Sequence, residues 1–298
     1  MRVFMTGGTG YIGTAVLKAL VEAGHQVSSL ARSKASALQI EALGGTALAG
    51  HLEDPVSFQS AVAAHDAIVH MAFESGPRGP DVDHQALKAL LEAARSGGSP
   101  KALVYTSGVL VLGDTGDGPA YENASTNGAF SLVAWRPGHE RLTLDAATEA
   151  LATAVIRPGF VYGGTKGLLS GFFESAAREG AAAYVGDGAN RMALVHRDDL
   201  ARLYRLVVES KGRGVFHGVD GAAPRVVELA RAASRAAGRD GAIHSMPLAE
   251  ARGVMGPFAD ALCVDQVVAS RRWAPAHKPA LESVAEAFAE WQGEVKKG

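Results

Sequence analysis

The chain has 298 residues, 47% of them hydrophobic and 20% charged, enough to bury a full core and too apolar to stay disordered. Its 29 Lys and Arg against 31 Asp and Glu give a formal net charge of -2, leaving no basic field for a run of phosphates and arguing against nucleic acid as a partner. The single cysteine, Cys263, excludes an internal disulfide and a cysteine-based metal cluster.

In the first half, short β-branched runs alternate with longer Ala/Leu-rich stretches. The strands expected are 3–6, 26–30, 67–70 and 102–106, and the helices 14–23, 55–64, 82–96 and 139–150. A further strand is expected at 153–157, ending at Pro158-Gly159. Then come a helix at 168–179, a glycine turn at 186–188, an apolar segment at 192–195, a helix at 198–210, a strand at 215–219, and helices at 224–238 and 281–295. The βαβ rhythm predicts an α/β fold, a Rossmann-type doubly wound parallel sheet with a smaller C-terminal α/β substrate lobe. Residues 1–162 would form the dinucleotide-binding domain and 163–298 a mainly substrate-binding lobe, partly interleaved with it. No apolar run reaches the roughly 18 residues of a membrane span, and Met1 leads into the first strand with no room for a signal segment. The expected location is the cytoplasm, with no membrane partner.

Residues 6–13, Thr-Gly-Gly-Thr-Gly-Tyr-Ile-Gly, follow a strand and open a helix, the context in which glycine spacing signals dinucleotide binding. Gly7 permits the tight turn, Gly10 lets backbone N–H groups approach a pyrophosphate, and Gly13 lets helix and strand pack closely. An NAD site needs a carboxylate at the end of the second strand, yet none occurs between Glu22 and Glu41. The segment ends on Arg32 and Ser33, and a guanidinium there can grip a 2′-phosphate, so NADP(H) is expected over NAD(H).

The glycine turn, the downstream Ala67-Ile68-Val69-His70-Met71-Ala72, the strand end Val104-Tyr105-Thr106-Ser107, the run from Arg157 to Gly163, and Gly186-Asp187-Gly188 followed by residues 195–201 occur in order. Together they resemble the extended or atypical short-chain dehydrogenases/reductases, the NAD-dependent epimerase/dehydratase family. The resemblance implies that Thr9, Tyr11 and Ile12 line the pyrophosphate, Leu52 with Glu53-Asp54 lies near the adenine, and Met71-Ala72 passes along the ribose. His51 stands where the pattern usually has Asp. Thr106 joins the cofactor contacts, and Pro158, Gly159, Phe160 and Val161 would flank the nicotinamide. Arg191 and His196 fall where substrate is usually met, and a homodimer is an assembly the resemblance allows.

Hydride transfer to a carbonyl develops charge on oxygen and needs a proton donor. The family's Tyr-x-x-x-Lys pair is absent: Trp135 stands at the tyrosine position and His139 at the lysine position. An indole cannot supply the proton, which leaves Trp135 as a substrate contact. His139 can hold the cofactor ribose, act as acid/base or serve a structural role. Ser107 can polarise a carbonyl, and Tyr162 follows the strand end beside the nicotinamide. The literal Tyr162-x-x-x-Lys166 contains two glycines and is not expected to be helical. No His-x-x-x-His pair suggests a metal. The expected function is an NAD(P)-dependent oxidoreductase acting on a small carbonyl or alcohol, the alternatives being a nucleotide-sugar epimerase/dehydratase and a non-catalytic NADP(H)-binding sensor.

Overall fold

The computed structural model describes residues 1–96 and 101–297. In chain order the elements begin β1 (Arg2–Thr6), α1 (Tyr11–Glu22), β2 (Gln26–Ala31), α2 (Lys34–Ala42), β3 (Thr46–Ala49), α3 (Val56–Ala64), β4 (Ala67–His70), α4 (Gly79–Ser96), β5 (Lys101–Thr106), α5 (Arg136–Asp145) and β6 (Leu151–Pro158). They continue with β7 (Phe160–Tyr162), α6 (Leu168–Glu179), β8 (Ala182–Val185), β9 (Leu194–His196), α7 (Arg197–Glu209), β10 (Gly214–Gly218), α8 (Val226–Ala236), β11 (Ile243–Met246), α9 (Leu248–Met255), α10 (Phe258–Ala261) and α11 (Val284–Val295).

A seven-stranded sheet runs in the order β10-β6-β5-β4-β1-β2-β3, and β3 through β6 pair in parallel. The chain builds outward from β1 through β2 to β3, then returns to lay β4 on the other side of β1. This reversal of strand order opens a crevice at the carboxyl ends of β1 and β4, the usual ligand position of a doubly wound sheet. β4 is buried at every position, as a strand covered on both faces must be. α1 buries Gly13, Val16, Leu17 and Leu20, the single stripe that a 3.6-residue period creates.

Packing divides the chain into two units of similar length, 1–107 with 135–157 and 200–216, and 108–134 with 158–199 and 217–298. The first is built on Phe4, Phe58, Ile68, Leu87, Leu90, Leu103 and Val155. The second has its own core around Phe172, Phe173, Leu194, Leu229 and Val284.

The helix expected at 139–150 starts earlier and ends earlier, at Arg136 and Asp145. Pro137 is harmless in the first turn, where its missing N–H has no intrahelical partner. At the other end the Thr148 hydroxyl accepts from the Leu151 N–H at 3.0 Å and turns the chain into β6. α2 and β3 carry no readable apolar pattern, because α2 buries Ile40 alone and β3 is a sheet-edge strand without a buried residue.

Candidate active site

The glycine turn is shaped by close backbone approach. Gly7 sits at φ +78°, and a Cβ there would stand 2.8 Å from the Ala72 backbone nitrogen. A Cβ on Gly13 would lie 1.9 Å from the Gly7 carbonyl oxygen, so the third glycine is required by the turn itself. Gly10 donates its N–H to the Gly7 carbonyl at 3.0 Å and caps α1 without a side chain, leaving first-turn N–H groups for an anionic ligand. Thr6 ties this turn to the end of β4, its hydroxyl accepting from the N–H groups of Met71 (3.2 Å) and Ala72 (3.1 Å).

Beside the turn lies a cavity of about 360 Å³, lined by Gly7, Thr9, Gly10, Arg32, Leu52, Met71 and Ala72 among others. Seven of the expected cofactor residues thus share one wall system. Tyr11, Ile12 and Gly13 follow on the first turns of α1, and Ser33 caps α2, its hydroxyl accepting from the Ser36 N–H at 3.1 Å. His51 also lines the cavity. Arg32 is exposed and pairs with Glu74, Nη1 to Oε2 at 3.2 Å, across a space that both residues line. The turn is one that a Cβ would close, the helix end is uncapped and the cavity adjoins both, so these residues fit a dinucleotide.

Trp135, Arg136 and His139 enter the same unit on α5. The His139 ring is buried, its Nδ1 2.7 Å from Asp83 Oδ2. The Tyr105 hydroxyl donates to the same oxygen at 2.8 Å, and His70 Nε2 lies 3.3 Å from Oδ1 without hydrogen-bond alignment. Burial pushes the Asp83 carboxyl up, but the hydrogen bonds from His139 and Tyr105, together with the nearby His70 ring, outweigh it and hold the group well below the usual carboxylate range. Burial and the Asp83 charge together push the Tyr105 phenol far above its ordinary value, so it stays a donor. Trp135 meets the His139 ring edge-on at 4.8 Å and stacks on Phe73 at 5.4 Å. The Arg136 guanidinium lies 4.4 Å from the indole centre and donates to the Thr106 carbonyl at 2.9 Å. Thr106 shares its hydroxyl with the Tyr204 hydroxyl at 2.7 Å, while the buried Ser107 Oγ finds no partner among the described residues.

The remaining expected site residues belong to the second unit. Pro158 ends β6, and a Cβ on Gly159 would lie 2.6 Å from the Ala193 carbonyl oxygen, so this glycine serves the pairing of β7 with β9. Phe160 and Val161 lie in β7, followed by the buried Tyr162, whose hydroxyl meets Ser283 Oγ at 3.2 Å. Burial pushes that phenol well above its ordinary value. Gly163 and Gly164 have φ of +119° and +68°, so Tyr162 and Lys166 share no helix face. Arg191 is held by Asp265, Nε to Oδ1 at 3.0 Å and Nη2 to Oδ2 at 2.5 Å, and staples the segment before β9 to the C-terminal segment. His196 is buried against Glu290 (3.1 Å) and stacked on His277 with ring centres 4.0 Å apart.

Burial raises the carboxyl of Asp220, also in this unit, to about 6, with the Asp199 charge adding to the effect and backbone N–H bonds from Ala280 and Ala222 opposing it. A raised carboxylate favours the protonated native state below its unfolded value, and that contribution is lost as pH rises through about 6. Asp220→Asn is expected to gain stability relative to the parent between roughly pH 5 and pH 8, by on the order of 1 kcal/mol. Urea midpoints of both proteins at the two pH values measure this, and a pH-independent difference would refute it.

A model of the NAD dependent epimerase/dehydratase family matches residues 3–217. The chain belongs to this family. An uncharacterized protein of Saccharomyces cerevisiae is 33% identical over 73% of this chain and 74% of its own length. The 2-alkyl-3-oxoalkanoate reductase of Stenotrophomonas maltophilia is 31% identical over 72% of this chain and 67% of its own. Among solved structures, the human epimerase family protein SDR39U1 with NADPH superposes with a TM-score of 0.78, at 23% identity, over 97% of this chain and 99% of that one. The fold is thus the Rossmann type read from the βαβ rhythm, and the protein is an NAD(P)-dependent enzyme of the oxidoreductase kind.

Asp83, Tyr105 and Phe73 are residues of this site that the sequence reading passed over. Asp83 did leave a signal. On α4 it shares the phase of Ala86, Leu87 and Leu90, and a carboxylate on an apolar stripe must find buried partners.

Proposed function

We propose that the protein is an NADP(H)-preferring oxidoreductase that reduces a small carbonyl compound or oxidises the matching alcohol. The carrying observation is the His139 imidazole, fixed through Nδ1 while its Nε2 has no partner among the described residues, in the same unit as the glycine turn and its cavity. A bound nicotinamide supplies or accepts the hydride. His139 then gives or takes the proton at the substrate oxygen, taking over the task of the missing tyrosine. Ser107 offers an unpartnered hydroxyl to a carbonyl oxygen, and Trp135 with Phe73 offers a stacked aromatic wall for the organic part of a substrate. The relative named as a 3-oxoalkanoate reductase supports the choice of a carbonyl substrate. Residues 158–161 and Tyr162 enter this reading through the family resemblance alone. Arg191, ion-paired with Asp265, and His196, within hydrogen-bond distance of Glu290, carry no part of it.

On the cofactor side, Thr9, Gly10, Tyr11 and Ile12 would hold the pyrophosphate, Leu52 the adenine, and Met71 and Ala72 the ribose. Arg32, with Ser33 at the start of α2, would take the 2′-phosphate once the guanidinium leaves Glu74. Titration of cofactor-free protein tests this, with NADPH binding at least tenfold tighter than NADH. Arg32→Ala should remove that preference by weakening NADPH alone, and equal loss of both cofactors would overturn the assignment. A panel of small ketones and 3-oxo acids, with NADPH consumption as readout, then tests the reaction. Turnover that survives His139→Gln unchanged would remove the proton-transfer role.

A further inference from the structure

We infer that Asp83 is a positioning residue for proton transfer at His139: it pins the Nδ1–H of the ring and so makes Nε2 the atom that exchanges the proton. The inference rests on the reading of His139 as the proton-transfer group and adds to it the residue that sets its tautomer.

Hydrogen-bond accounting supports the assignment. Asp83 is ionised, so it accepts and cannot donate, and the ring nitrogen 2.7 Å away must carry a hydrogen. Its other donors leave no slack. Tyr105 donates to the same oxygen at 2.8 Å, and Tyr105 is itself braced by Arg136 Nη1 at 3.3 Å. His70 is fixed by a parallel argument. Thr6 Oγ1 already accepts from the N–H groups of Met71 and Ala72, so its own hydrogen goes to His70 Nδ1 at 2.7 Å. That leaves the His70 proton on Nε2, facing Asp83 Oδ1 at 3.3 Å. The cavity wall, Thr6 and His70 therefore form one hydrogen-bonded run that ends beside Asp83, and on the other side of Asp83 the His139 Nε2 has no partner among the described residues.

The chemistry follows from the tautomer. When a carbonyl carbon accepts the cofactor's hydride, the electron pair of its C–O π bond moves to oxygen, which takes the Nε2 proton of the imidazolium. The ring is left neutral with Nδ1–H still bonded to Asp83, and uptake of one H⁺ from solvent restores the Nε2 proton, so each reduction consumes one proton. An asparagine at position 83 reverses this order, because its amide would donate to Nδ1 and drive the hydrogen to Nε2, leaving no lone pair there. Such an exchange at the orienting carboxylate of a comparable dyad costs on the order of 10⁴ in turnover, and about 10³-fold is expected here.

The test uses cofactor-free protein labelled with ¹⁵N-histidine, whose two-bond proton–nitrogen correlations report the tautomer of each neutral ring, with His139→Gln identifying the His139 signals. The wild-type ring should be Nδ1–H, and Asp83→Asn should be Nε2–H with kcat down about 10³-fold and NADPH affinity within a few-fold of wild type. A structural role alone would not move the tautomer. A wild-type ring protonated at Nε2 overturns the inference, as does a flipped tautomer with unchanged kcat. Should Asp83→Asn fail to fold, the wild-type tautomer decides by itself. Failure of the underlying reading looks different, since His139→Gln would then leave turnover intact whatever the tautomer.

Discussion

Gly13→Ala is expected to weaken dinucleotide binding by at least about 100-fold, the equivalent of roughly 3 kcal/mol. The added methyl would stand 1.9 Å from the Gly7 carbonyl oxygen and 2.8 Å from its carbonyl carbon, both backbone atoms that no rotamer change can clear. Relief requires the start of α1 to move away from the turn. That displaces the N–H groups following Gly10, which the uncapped helix end offers to the pyrophosphate. The same movement breaks close packing beneath the turn, so thermal stability should fall as well. Gly171→Ala on α6 is the matching control, because a Cβ there meets nothing within 4 Å. In a helix interior that change should be neutral or stabilising by up to about 1 kcal/mol. Cofactor titration and thermal melts of the two variants measure both effects. Gly13→Ala binding within threefold of wild type would show that the turn tolerates what its geometry forbids.

Glu140→Gln is expected to destabilise the first unit by about 3–5 kcal/mol, the cost of removing the counter-charge of a buried cation. Arg157 and Glu140 are 5% and 4% exposed, and the guanidinium grips the carboxylate through Nε at 3.0 Å and Nη2 at 2.6 Å. The pair fastens α5 to β6, so it also holds the helix that carries Trp135 and His139. Its attraction roughly repays the desolvation of two charges, and removing the carboxylate takes away the counter-charge that offsets the burial of the guanidinium. Replacing both, as Glu140→Leu with Arg157→Met, should therefore recover most of the loss. Urea unfolding of Glu140→Leu, Arg157→Met and the double variant supplies the cycle, and additive losses would mean that the pair is not coupled.

Reading the sequence alone succeeded where local rules suffice. The strand at 67–70 and the helix at 168–179 have the bounds expected from their apolar runs. The glycine spacing gave the turn, since both the positive φ of Gly7 and the crowding at Gly13 arise within a few residues of chain. The two glycines after Tyr162 likewise excluded a helical Tyr/Lys pair from composition alone. Where burial comes from distant chain, local signals failed. α2 and β3 lie at the sheet edge with too little apolar surface to show a period. Arg191 and His196 read as substrate contacts, and both also meet carboxylates far along the chain, Asp265 and Glu290.

What the sequence by itself determined was the layered parallel sheet, the dinucleotide turn and the presence of Trp135 and His139 where the resemblance leads one to expect Tyr and Lys. These follow from residue period, glycine placement and the identity of single positions. Tertiary structure alone decided which residue meets His139. Asp83 lies 56 residues from His139, and the two meet because the phase of α4 turns a carboxylate inward beside the start of α5. Arg32 meets Glu74 across 42 residues in the same way, through the adjacent ends of β2 and β4 around β1. Such meetings depend on strand order and helix rotation together, and no local stretch of sequence contains both.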